Sequence, residues 1–356
     1  MRIALSMLTL VPGVVGGSET YARALAAALA VRRTLDVTAF VPALAPAAGE
    51  GLPTEIVTEY RAAATPAGRL RAMVRGTVAP GALRRRYEGI DLVHFPLTVP
   101  VPPGHGCTVI TLHDVQHLDL PGMFSRSERA YRKLAYDRAA RHAGLVVVPS
   151  AFVRERAIDR LGLDPDRVRM IHHGVDHGTF SPGDRERAPF LLYPAKVWPH
   201  KNHERLLEAF TLLRRERPEL RLVLTGGGTE RFGGRPGIDA RGPLRSTELV
   251  DLYRRAACVV FPSRYEGFGS PPLEAMACGT PVAASFAGSL PEVCGDAAVL
   301  FDPDDAGAIA DGVSEALARS SDLVERGRAR AARFTWEAAA ERHEQAYRAV
   351  YTSRGS

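Results

Sequence analysis

The strongest constraint on the fold of this chain is an alternation, sustained along most of its length, of short β-branched apolar runs with Ala/Leu/Arg-rich stretches of helical period. Brief apolar runs closed by turn residues read as strands buried on both faces. The amphipathic stretches between them read as helices covering those faces, and together they make βα units that wind a parallel sheet. Strands are expected at Ile3–Ser6, Val37–Val41, Leu92–Phe95, Thr108–Leu112, Val146–Val148 and Arg169–His172. A second series is expected at Phe190–Pro194, Arg221–Thr225, Cys258–Phe261, Pro281–Ser285 and Ala298–Phe301. The polar segment Gly174–Pro189, with Asp184-Arg185-Glu186-Arg187 inside it, reads as the linker. The two series echo each other, since AGLVVVPS ends at Ser150 and AACVVFPS ends at Ser263. At 356 residues the chain can build two cores. The expectation is an α/β protein of two doubly wound, Rossmann-like domains, 1–180 and 181–335, facing across a cleft onto which the carboxyl ends of both sheets open. A last helix, from about Trp336 to Tyr351 with Thr335 as N-cap, is expected to cross back onto the first domain.

Composition narrows the class. With 46% hydrophobic and 24% charged residues the chain is neither disordered nor fibrous. Cys107, Cys258, Cys278 and Cys294 lie far apart without a CxxC pair, which fits reduced thiols in a cytoplasmic protein better than a zinc site. From Met1 onward no basic-then-apolar leader is read, so a secretory signal is not expected, and no apolar run approaches membrane-spanning length. The net charge of +6 is confined to residues 1–180, which carry 22 Lys+Arg against 16 Asp+Glu, whereas residues 181–356 carry 24 of each. Arg61, Arg69, Arg71, Arg75, Arg84, Arg85 and Arg86 crowd one stretch, and Arg126, Arg129, Arg132, Lys133, Arg138 and Arg141 mark another. Such clusters are either a solvated face or a surface for an anionic partner, such as the inner face of a membrane or a phosphorylated acceptor. No motif points to nucleic acid.

Three loops carry the chemistry. PGVVGGSETYARALAAAL follows the first strand, and Gly16 and Gly17 let backbone approach a ligand where a helix start offers free N–H groups, an arrangement suited to phosphate. In LLYPAKVWPHKNHERLLEAF, Lys196 and Lys201 flank a Trp-Pro turn at the end of a strand. They are two of only three lysines in a chain that otherwise uses arginine, and a compact ammonium suits a point charge on phosphate. In FPSRYEGFGSPPLEAMACGTPV, Glu266 precedes the amides of Gly267, Phe268 and Gly269. A helix then starts at Ser270-Pro271-Pro272 and carries Glu274. Two carboxylates with backbone donors between them suit a ligand that has hydroxyls at both ends and a charged middle, which is the layout of a nucleotide sugar.

These residues resemble the retaining glycosyltransferases of family 4, which have the GT-B fold. The E-x7-E element from Glu266 to Glu274 is the most specific mark. GGSETYARAL, TLHD at Thr111–Asp114, VVVPSAFVRE, IHHGVD, YPAKVWPHKN, GSLPEVCGDAA and FTWEAAAERH follow in family order. The resemblance implies that Glu266 and the amides of Gly267, Phe268 and Gly269 hold the donor sugar and that Glu274 holds the ribose. It also implies that Lys196 and Lys201 neutralise the diphosphate, that Gly17 contacts it from the first domain, and that His113 sits beside the transferred sugar. Lys196 stands where the family usually has arginine, Ala195 where it has glycine, and His173 where it has asparagine.

The function so implied is retaining, metal-independent transfer of a sugar from a nucleotide-diphosphate sugar to a hydroxyl acceptor, with no cofactor. The first domain would bind the acceptor and the second the donor. Similarity to polysaccharide and mannosyl transferases tilts the donor toward GDP-mannose. Candidate acceptors are a glycan, a lipid-linked glycan or a natural-product aglycone. Asp302-Pro303-Asp304 resembles a metal-binding DxD but reads as a turn. The competing functions are an epimerase or phosphorylase on the same fold, and a catalytically silent nucleotide-sugar binder.

Overall fold

The computed structural model describes residues 1–14, 16–184 and 186–355. Val15 in the first glycine loop, Arg185 in the expected linker, and Ser356 lie outside the described residues, as do the side chains of Pro66 and Arg354. The chain divides into two compact units, Met1–Gly174 with Trp336–Ser356, and Val175–Thr335.

The first unit holds a seven-stranded sheet of β1 (Arg2–Ser6), β2 (Asp36–Pro42), β3 (Thr54–Val57), β4 (Leu92–Phe95), β5 (Thr108–Thr111), β6 (Leu145–Val148) and β7 (Val168–Met170). The strand order is β3-β2-β1-β4-β5-β6-β7 and every pairing is parallel. Successive side chains leave a strand on opposite faces, and both faces here are covered. Ile3 and Leu5, Leu145 and Val147 enter one core layer, while Ala4, Val146 and Val148 enter the other. This is why these strands read as unbroken apolar runs rather than as alternating ones. The helix Trp336–Gly355 supplies Ala339, Ala340, Ala346, Tyr347 and Val350 to the first of those layers, and so belongs to the unit that begins at Met1.

The second unit holds β8 (Ala188–Pro194), β9 (Arg221–Thr225), β10 (Ile238–Ala240), β11 (Ala256–Phe261), β12 (Val282–Ser285) and β13 (Val299–Phe301). Their order is β10-β9-β8-β11-β12-β13, again all parallel. In each sheet the winding therefore reverses beside the unit's first strand, between β1 and β4 and between β8 and β11. Ligands of open α/β sheets bind outside the carboxyl ends of the strands at such points.

The structure departs from the sequence expectation in three places. β3 and β10 were not expected, and both are short edge strands that bury little, β3 only Val57 and β10 its Ile238 and Ala240 in part, so they carry little periodic signal. Residues 188–189 of the expected linker are the start of β8. Val175 is buried and bridges Thr335, which brings residues 175–180 into the second unit. The two Pro-Ser strand ends also differ in use. Ser150 caps the helix Ala151–Leu161 by accepting from Val153 N–H at 3.2 Å, a contact worth about 1 kcal/mol. Ser263 opens a loop instead, and its carbonyl accepts from Ser285 Oγ. All four cysteines are buried and unbridged, and burial pushes the thiols of Cys258, Cys278 and Cys294 up to about 12, which makes them inert.

Candidate active site

In the second unit the switch-point strands β8 and β11 deliver Lys196 and Glu266 into adjacent loops. The loop after β8 is strapped to the one after β9, since Ala195 N–H donates to the Thr225 carbonyl at 2.8 Å and Val197 N–H to that of Gly227 at 2.9 Å. Only glycine permits this approach. At Gly226, with φ +115°, a Cβ would lie 2.6 Å from the carbonyl carbon of Ala195. The run Gly226-Gly227-Gly228 is not among the sequence-based candidates, although three glycines directly after an apolar strand are the signal that could have marked it. Beyond the short turn Pro199–Lys201, Asn202 at φ +60° starts the helix His203–Glu216 and donates its amide to the carbonyls of Pro262 at 3.1 Å and Pro303 at 2.6 Å. Arg264 N–H donates to the His200 carbonyl at 2.8 Å. Three strand-end loops are thereby fastened together.

Within that frame the two lysines have different surroundings. Lys201 Nζ donates to Glu266 Oε1 at 2.6 Å and lies 5.3 Å from the Phe261 ring centroid, with only 14% and 12% of the two paired side chains exposed. Lys196 Nζ lies 5.9 Å from the Trp198 ring centroid and has no carboxylate partner among the described residues. Lys201 thus positions Glu266, and Lys196 is the ammonium left uncompensated.

The Glu266 loop is held from behind. Its carbonyl accepts from Ser289 N–H and Oγ, both at 3.1 Å, and Ser289 Oγ also donates to the Phe268 carbonyl at 2.8 Å. The Phe268 side chain is buried and meets Phe334 edge-on at 5.9 Å. It anchors the loop, which leaves only its backbone to meet a ligand. Gly269, at φ +90°, is the N-cap of the helix Ser270–Ala277, and a Cβ there would lie 2.6 Å from Leu290 Cδ2. Glu274 sits on this helix and accepts from Tyr253 Oη at 2.9 Å. Burial raises its carboxyl to about 7, against which the Tyr253 hydrogen bond works only in part. Tyr253 is fully buried, and nothing in its sequence surroundings marks it. Asp302 and Asp304 form a turn, in which Asp304 N–H donates to Asp302 Oδ1 at 2.8 Å and Arg264 pairs with Asp304 at 2.6 Å. Among the described residues no group of three or more His, Cys, Asp or Glu side chains could hold a metal ion. Two surface concavities of the second unit, one lined by Arg221, Asp239 and Arg255 and one by Leu244, Glu248 and Asp251, contain none of the motif residues.

In the first unit, Gly17 opens the helix Gly17–Arg32 behind Gly16 at φ +62°, and among the described residues, its chain neighbours and the backbone of its own helix aside, no atom lies within 4 Å of where its Cβ would stand. Backbone is therefore open to a ligand there. His113 follows β5, with Nε2 2.8 Å from the Pro96 carbonyl. A carbonyl only accepts, so Nε2 carries the proton and the neutral ring keeps a lone pair on Nδ1. Burial holds this histidine below its ordinary pKa, which suits it to accept from a hydroxyl rather than to act as an acid.

His113 rests edge-on against Tyr21 at 5.0 Å, and Tyr21 is fixed by a buried chain of hydrogen bonds. His343 Nδ1 lies 2.8 Å from the Ala339 carbonyl and so must donate to it, leaving Nε2 to accept from Tyr21 Oη at 2.8 Å. Tyr21 then accepts from Thr111 Oγ1 at 2.9 Å, Thr111 accepts from His94 Nε2 at 2.8 Å, and His94 Nδ1 accepts from Tyr347 Oη at 2.7 Å. With both histidines neutral only this proton order satisfies every group. Burial supports it by holding His343 at about 4 and His94 well below its ordinary value. His173, in the family's asparagine position, packs between Tyr21 at 4.5 Å and Trp336 at 6.0 Å.

Comparison with known proteins identifies the family and the fold. The family described as Glycosyltransferase Family 4 matches residues 15–179, and that described as Glycosyl transferases group 1 matches residues 179–333. The O-antigen chain mannosyltransferase B of Escherichia coli is 33% identical over 254 residues, covering 64% of this chain and 67% of that protein. This chain belongs to the family 4 glycosyltransferases. A D-inositol 3-phosphate glycosyltransferase of Mycolicibacterium smegmatis is 31% identical over 236 residues, covering 59% of this chain and 54% of the other. The chain thus spans about two thirds of the first curated relative and about half of the second. Sucrose-phosphate synthase from Thermosynechococcus elongatus superposes with a TM-score of 0.78 at 22% identity over 99% of this chain and all of that one, which establishes the GT-B fold.

Proposed function

We propose that this glycosyltransferase binds a nucleotide-diphosphate sugar at the carboxyl ends of β8 and β11 and transfers the sugar with retention of anomeric configuration and without a metal ion. The observation that carries the proposal is the pairing of Lys201 with Glu266, one helix start away from Glu274, in a loop that also carries Lys196, which has no carboxylate partner among the described residues. Glu266, oriented by Lys201, accepts from the sugar hydroxyls together with the amide edge of Gly267, Phe268 and Gly269. Lys196 and Lys201 stabilise the charge that develops on the leaving diphosphate, and Glu274 accepts from the ribose diol. By family resemblance Gly17 contacts the diphosphate, and His113 accepts from a hydroxyl of the transferred sugar through Nδ1. The bond from the anomeric carbon to phosphate oxygen breaks, the acceptor oxygen bonds to that carbon on the same face, and the acceptor's proton passes to the departing phosphate oxygen. The mannosyltransferase relative favours GDP-mannose as donor and a glycan or lipid-linked glycan as acceptor.

The Glu274 carboxyl gives the proposal a pH signature. Ribose hydroxyls donate to the ionised form, and a group titrating at about 7 is half protonated at neutrality. Nucleotide affinity is therefore expected to rise from pH 6 to pH 8 and to fall up to roughly tenfold per unit well below pH 7. In Glu274→Gln this dependence should flatten, as calorimetric titration across that range would show. A melting-temperature panel of UDP, GDP, TDP and ADP with their sugars, with and without EDTA, tests the donor class. A shift for one nucleotide that survives EDTA and disappears in Glu274→Ala is expected, whereas the absence of any shift would overturn the proposal. Turnover of the donor to a glycoside, rather than to an epimer or a sugar phosphate, separates transfer from the competing reactions. Among the described residues no helix is long and apolar enough to cross a membrane.

A further inference from the structure

The first unit carries a surface that donor chemistry does not use. The helix Pro66–Val78 packs inward through Ala72 and Gly76, and a Cβ on Gly76 would lie 2.6 Å from Val101 Cγ1 and 3.2 Å from Leu83 Cδ1. Its outer side presents Leu70, Val74 and Val78, exposed by 53%, 52% and 78%. These three recur every four residues and fall within an arc of about 80°. Beside them on the helix run Arg71 and Arg75. Residues 61–86 contain seven arginines and no acidic residue. Arg61, Arg69, Arg71, Arg75 and Arg85 have no carboxylate partner among the described residues, whereas Arg86 is held by Glu59 at 2.8 Å.

This surface continues onto a second basic element. The helical stretch from Arg126 to His142, which contains a π-helical turn at Lys133–Asp137, touches the first helix where Tyr131 Oη donates to Met73 Sδ at 3.5 Å. It exposes Leu134 by 69% among Arg126, Arg129, Lys133, Arg138 and Arg141. Of its two acidic residues, Asp137 is buried against His117 at 2.9 Å and Glu128 is used in the capping box of Ser125.

An ordinary solvated helix face mixes charges of both signs and keeps its aliphatic residues inside. Here one sign of charge flanks an exposed aliphatic row, the pattern of a helix that lies in the plane of a lipid interface. We propose that Leu70, Val74 and Val78, with the surrounding arginines, dock the first unit onto an anionic phospholipid bilayer. Aliphatic side chains enter the acyl boundary while the guanidinium groups meet lipid phosphates. A nucleic acid would engage the arginines but would gain nothing from the aliphatic row.

The proposal stands apart from donor binding, and its test separates the two. The full chain is sedimented with vesicles of phosphatidylcholine alone or mixed with phosphatidylglycerol, and nucleotide binding is measured in parallel. Wild type should partition at least roughly tenfold more strongly onto the anionic vesicles. The variant Leu70→Ser/Val74→Ser/Val78→Ser should lose roughly tenfold of that affinity, and Arg71→Glu/Arg75→Glu a similar amount. Both variants should keep the wild-type melting temperature and nucleotide affinity, because the altered side chains are exposed. Equal partitioning of wild type onto neutral and anionic vesicles, no partitioning at all, or an aliphatic variant that binds as wild type does would each overturn the proposal. In the last case binding would be by charge alone, as to any polyanion including nucleic acid.

Discussion

Glu266→Gln should lower turnover by roughly 10²–10³-fold while leaving affinity for the bare nucleoside diphosphate within about threefold of wild type, since in the proposed reaction the carboxylate acts on the sugar and not on the nucleotide. The fold should survive. The amide oxygen introduced by the substitution can still accept from Lys201 Nζ, and the backbone of residue 266 remains held by Ser289 N–H and Oγ. The amide lacks the negative charge that a sugar hydroxyl would meet as positive charge builds on the anomeric carbon, so the loss should fall on kcat more than on KM. Steady-state kinetics with the donor, combined with calorimetry using the nucleoside diphosphate, checks this. Unchanged kcat would remove Glu266 from the site. Equal loss of nucleotide affinity would mean instead that the loop had collapsed.

Gly288→Ala tests the same loop from behind and should cost about 3 kcal/mol or more. Gly288 has φ +61°, and a Cβ there would stand 2.7 Å from Glu266 N and 2.8 Å from Glu266 O. Those neighbours are backbone atoms whose carbonyl is already fastened to Ser289, so no flexible side chain can move aside. For a unit of this size the cost corresponds to a fall in melting temperature of roughly 6–12 °C, to be read by calorimetry, and turnover should fall with it because Glu266 is displaced. Gly17→Ala is the informative contrast, since the space around it is open and its melting temperature should not change. A melting temperature of Gly288→Ala within about 2 °C of wild type would show that the loop yields, and would separate Glu266 from its support.

Much of this protein was legible from its sequence. The βα alternation, the strand ends, and the loops carrying Lys196, Lys201, Glu266 and Glu274 are local features, because burial on both faces of a parallel strand imprints a continuous apolar run and a ligand loop imprints glycine and proline beside it. Edge strands β3 and β10 leave little such imprint, being three or four residues long and burying little beyond Val57. The remainder depended on packing between residues distant in sequence. Lys201 and Glu266 are 65 positions apart and Tyr253 and Glu274 are 21 apart. The chain from Tyr347 through His94, Thr111 and Tyr21 to His343 spans nearly the whole unit. Side-chain chemistry alone presented the two lysines as equivalent phosphate ligands. Only the tertiary structure assigned one to Glu266 and left the other unpaired, because the dividing factor is the distance to a carboxylate, and that distance is set by which strands lie side by side in the sheet.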